Sequence, residues 1–92
     1  MIKAVLTPQG SATISATASS SSVNPTGNGQ MVRVYNAGTA TAFVAIGSTA
    51  TTSDMPMPSG NVEYLSVAPG TAIAAITASS TATVYVTRCE VM

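Results

Sequence analysis

The sequence predicts an all-β protein, a small antiparallel β-sandwich or jelly roll, and three observations point there. No stretch of useful length carries the apolar period of an amphipathic helix. Short runs rich in Val, Ile, Thr and Tyr alternate apolar with polar or small residues. Gly, Pro and Asn punctuate those runs, the pattern of six or seven short strands joined by turns. The 92 residues fit a single domain, residues 1–92, with an N-terminal arm over residues 1–10 that is free to extend.

Taken in order, Ile2 to Thr7 reads as a first strand, ended by Pro8 and Gly10. Ala12 to Ala18 reads as a second, with Ala12, Ile14 and Ala16 alternating with Thr13, Ser15 and Thr17. Ser19 to Gly29 is turn-rich, and within it Ser20 to Val23 fits a short edge strand. Met31 to Asn36 and Ala42 to Gly47 are the strongest strands, and Asn36-Ala37-Gly38-Thr39 between them predicts a hairpin. Val32 and Val34 share one face, Met31, Arg33 and Tyr35 the other. Neither face is fully polar, so both are expected to be covered. Ser48 to Asn61 is expected to lie irregular and extended on the surface, because Pro56 and Pro58 cannot donate to a ladder. Val62 to Val67, Thr71 to Ala78 and Ala82 to Cys89 complete the strands, with Pro69-Gly70 suited to a type II turn.

Composition excludes most chemistry. The chain has no His, no Trp, one Cys and six formal charges that cancel, while Ala, Ser and Thr make up close to half of it. Proton transfer, nucleophilic attack and metal binding draw on residues that are scarce here. No enzyme activity, no cofactor and no metal site are expected. Cys89 lacks a His to activate it, and Arg88 beside it points to the opposite face of a strand. Asp54, Glu63 and Glu90 fall on separate elements without ligand spacing. Zero net charge gives no footprint for nucleic acid. No apolar run reaches the roughly 18 residues of a membrane-spanning helix, so no membrane partner is expected. The apolar part of the N-terminus is too short for a secretory signal, and synthesis in the cytoplasm is expected.

What remains is surface. Tyr35, Tyr64 and Tyr85 each sit in a predicted strand and suit either sheet packing or a platform for sugar stacking. Met55, Pro56, Met57 and Pro58 form the best local candidate for a protein-interaction segment, since Pro lowers the ordering cost and Met adapts to an apolar pocket. The alternative is that this segment folds back on its own sandwich. Ile2, Val5 and Leu6 of the first strand are the second candidate, able to add an edge to a neighbouring sheet. Small Ala and Thr side chains bury little, so the chain is expected to gain stability by association.

Val32-Arg33-Val34-Tyr35-Asn36-Ala37-Gly38-Thr39, Ala42 to Gly47, Val67-Ala68-Pro69-Gly70-Thr71 and Thr81 to Arg88 resemble segments of small virion proteins of tailed bacteriophages, of the capsid decoration or cement type. The resemblance covers about the last two-thirds of the chain and carries no catalytic motif. It implies a β-sandwich or jelly roll on the surface of a phage head, with the major capsid protein as partner and a homo-oligomer, trimer or dimer, as the assembled form. The competing expectation is a receptor- or carbohydrate-binding module of a phage tail or fibre, using Tyr35, Tyr64 or Tyr85.

Overall fold

Among the described residues, eight strands follow one another with no helix between them: β1 Leu6–Ala16, β2 Ser21–Val23, β3 Met31–Asn36, β4 Ala42–Ile46, β5 Met55–Met57, β6 Val62–Ser66, β7 Ile73–Thr77 and β8 Ala82–Val91. The computed structural model describes residues 6–91. All pairings are antiparallel and build two four-stranded sheets, ordered β1-β8-β3-β6 and β2-β7-β4-β5. The pairs β1·β8, β2·β7, β3·β6 and β4·β5 are nested, as if one long hairpin had been rolled up, and β3·β8 and β4·β7 close the roll. That arrangement is a jelly roll. The Cα radius of gyration, 12.2 Å, is that of a compact chain of this length, about 12 Å.

Alternation along each strand builds the core. Ile14 and Ala16 of β1, Val32 and Val34 of β3, Ala42 and Val44 of β4, Ile73 and Ala75 of β7, and Ala82, Val84 and Val86 of β8 all point between the sheets. Met57 and Val67 fill the same layer. Pro69-Gly70 forms the predicted turn, with Gly70 at φ 85° and the Thr71 N–H donating to the Ala68 carbonyl at 3.2 Å.

Three expectations are corrected. Residues 36–39 do not form a hairpin, because β3 and β4 lie in different sheets. None of them has the positive φ that a tight hairpin demands. Instead the buried Asn36 side chain makes an arch between the layers: Nδ2 donates to the carbonyls of Ala40 (2.9 Å) and Met57 (2.8 Å), and Oδ1 accepts from the Gly38 N–H (3.0 Å). Gly38 is needed there for space, since a Cβ would stand 2.7 Å from the Ala82 Cα.

The second correction concerns Pro8 and Gly10, which do not end a strand. Pro8 pairs with Cys89 and Gly10 with Arg88, so Gln9 is the extra residue of a β-bulge in one continuous β1. An edge strand tolerates the missing proline N–H. Of the expected strand Ile2 to Thr7, residues 2–5 lie outside the described residues. The third correction is β5, a short edge strand within the segment expected to be irregular, with Pro56 opposite Phe43.

Candidate functional site

The sheet order collects side chains that are far apart in sequence. On the outer face of the first sheet, Thr13, Tyr85, Tyr35 and Val62 lie in one cross-strand row, and Ser11, Thr87, Arg33 and Tyr64 in the next. All three tyrosines of the chain therefore share one face. Tyr64 is 52% and Tyr85 43% exposed. The Tyr35 and Tyr85 rings stack at 6.2 Å between centroids and 18° between planes, and the Arg33 guanidinium carbon lies 5.5 Å from the Tyr35 centroid. Tyr35 is thus committed to two neighbours within the chain and is not a free platform. At the β1 side, the hydroxyls of Ser11 and Thr87 share a hydrogen bond of 2.7 Å.

The outer face of the second sheet is small and apolar. Ile76, Phe43 and Pro56 form one row, and Ser22, Ala74 and Ala45 another. Where the two sheets part beside β5 and β6, Val44, Ala45, Ile46, Asp54, Met55 and Leu65 line a shallow depression of about 310 Å³. Ile46 is 54% and Met55 37% exposed there. The Asp54 carboxylate at its rim is already engaged, accepting from the Thr51 N–H (2.6 Å) and hydroxyl (3.3 Å).

The sequence candidates separate. Met55, Pro56 and Pro58 are exposed. Met57, however, is 0% exposed and belongs to the core. It offers no surface to a partner, because period-two alternation along β5 sends it inward opposite Ala42. Ile2 and Val5 lie outside the described residues; Leu6 begins β1, opposite Val91.

Chemistry-bearing groups stay apart. Cys89 is a buried free thiol whose sulfur donates to the Thr87 carbonyl at 3.4 Å. Glu63 accepts from Asn61 at 3.2 Å. Among the described residues no group of three or more acidic, Cys or His side chains could hold a metal ion, and no helix is long and apolar enough to cross a membrane.

Sequence reasoning missed one residue. Arg88 is 0% exposed and points inward, continuing the series Ala82, Val84, Val86 along β8. Its Nη1 donates to the carbonyls of Val67 (2.5 Å) and Gly29 (3.2 Å), and Nη2 approaches that of Thr71 at 3.4 Å. Nε has no partner. The guanidinium ties two loops, residues 24–30 and 67–72, to the end of β8. Strand parity gave the signal; the charge argued against following it. Compared with protein-family models, curated proteins and solved structures, the chain matches none, so its surface carries the argument for its role.

Proposed function

We propose that this protein is a structural subunit of a virus particle, a capsid decoration protein of the phage type that bridges major capsid subunits. A bridging protein needs two contact surfaces, and one observation carries the reading: each sheet presents a cluster of aromatic or apolar side chains on its outward face. The first offers the exposed rings of Tyr64 and Tyr85 beside Arg33; the second offers Phe43, Ile76 and Pro56. Tyr and Arg are the side chains most often found at the energetic centre of protein interfaces. The jelly roll supports the reading by fold-level analogy alone, since viral capsid domains and lectins both use it. Each copy needs only a few kcal/mol of binding, because many identical contacts on a shell act together.

The test is occupancy on purified particles. Hundreds of copies per particle are expected, and Tyr85→Lys or Phe43→Lys, each on an outward face, is expected to lower that number while the chain stays folded. Absence from particles, or occupancy insensitive to both substitutions, overturns the proposal. A carbohydrate-binding tail or fibre module is the second reading, favoured by the exposed ring of Tyr64. Glycan binding by the isolated chain, lost in Tyr64→Ala, together with a few to tens of copies per particle, distinguishes it.

A further inference from the structure

The four sheet edges are not protected alike. A strand edge with unpaired N–H and C=O groups invites another chain, and natural proteins blunt it by shortness, Pro, charge or a bulge. β2 has three residues, β5 has three with Pro56 at its centre, and β6 has five and carries Glu63. β1 has eleven. Its Pro8 and its bulge at Gln9 protect only the first third. From Gly10 to Ala16 the strand runs in unbroken register with β8 and has no proline and no charge. Ser11, Thr13 and Ser15 are exposed along it, and such short side chains leave no obstacle to a second backbone.

We propose that this edge is a self-association site, at which β1 pairs antiparallel with β1 of a second copy about a twofold axis. The register follows from the pleat. Directly opposed residues in an antiparallel pair point to the same face. With the axis perpendicular to the sheet, as a continuous eight-stranded sheet requires, partners must therefore have the same parity. The centre of Gly10 to Ala16 is Thr13, so Thr13 faces its own copy across the axis, Ser11 faces Ser15, and Ala12 faces Ile14. The outer face gains a row of hydroxyl pairs, a favourable cross-strand combination. The two tyrosine faces then lie on the same side of one sheet.

Dimerisation is measured on the purified full chain alone, so its failure is distinct from failure of the particle reading. Sedimentation velocity is expected to show a dimer, and Thr13→Lys, which sets like charges directly opposite at the axis, to raise the dimer dissociation constant by about tenfold or more. Register is read by cysteine cross-linking, because opposed Cα atoms at about 4.5–5.5 Å suit a disulfide. Thr13→Cys is expected to cross-link to itself under mild oxidation. Ser11→Cys alone is not, but a mixture of Ser11→Cys and Ser15→Cys is. A chain that stays monomeric at about 1 mM overturns the proposal, as does a dimer indifferent to Thr13→Lys that does not cross-link through Thr13→Cys. Self-cross-linking of Ser11→Cys as fast as Thr13→Cys overturns the register.

Discussion

Arg88 is the side chain whose removal tests the account of the fold most sharply. In Arg88→Ala the carbonyls of Val67 and Gly29, now held at 2.5 and 3.2 Å, lose their donor in a place water does not reach. A buried acceptor left alone costs about 1–3 kcal/mol, so the two together cost about 4 kcal/mol. Two lost methylenes of the stem add about 1.6 kcal/mol. Against this, the folded variant no longer buries a cation that, among the described residues, has no carboxylate partner and an unpartnered Nε, a relief of about 2 kcal/mol within the several that such burial costs. The balance is a loss of about 3.6 kcal/mol. For a domain of this size that corresponds to a fall in Tm of about 14–29 °C. Urea titration with unchanged m-value measures the loss. Hydrogen exchange locates it: the Val67 amide, which donates to the Gln30 carbonyl at 3.0 Å and so joins the same two loops, is expected to lose protection first. Stability within about 1 kcal/mol of wild type would refute the claim that the guanidinium holds that end of the sandwich.

Four further outcomes follow from the same geometry. Met57→Ala should cost about 2–5 kcal/mol and Met55→Ala less than about 1 kcal/mol by denaturant titration, because only the first empties core volume. Gly29→Ala should destabilise strongly, since its Cβ would stand 2.0 Å from the Cys89 carbonyl oxygen; a melting temperature equal to wild type would contradict the packing of that loop on β8. The Cys89 thiol, buried among β1, β3 and β8, should react with a thiol reagent only as fast as the chain opens, and at full speed in urea. Tyr35→Ala should cost about 0.5–1.5 kcal/mol beyond its lost area, and a double-mutant cycle with Tyr85→Ala should recover that coupling.

What could be read from the sequence was what is decided locally. Alternation within β3 sorted Val32 and Val34 from Met31, Arg33 and Tyr35 because period two is a property of the strand alone. Pro69-Gly70 fixed its turn for the same reason, through one restricted φ and one positive φ. The arch at Asn36 escaped because its side chain is satisfied by Met57, 21 residues on, and no dipeptide signal encodes that partner. Pro8 was read as a terminator because its edge position, which makes it harmless, depends on a pairing with residues near the other end of the chain. Met55 and Met57 looked equivalent until β5 paired with β4. The tyrosine face was half visible: each strand placed its own ring, and only the order β8-β3-β6 brought the three together.

The nested pairing also has a consequence for biosynthesis. Ser11 meets Thr87 across a separation of 76 residues, so β1 leaves the ribosome well before the partner strand β8 exists. Until Ala82–Val91 emerges, Leu6–Ala16 is a nascent segment with both margins open, and topologies closed this late acquire their structure slowly. Serine, threonine and alanine at most of its positions make that segment a poor nucleus for aggregation during the wait. The blandness of β1 thus serves the chain before folding as well as after it.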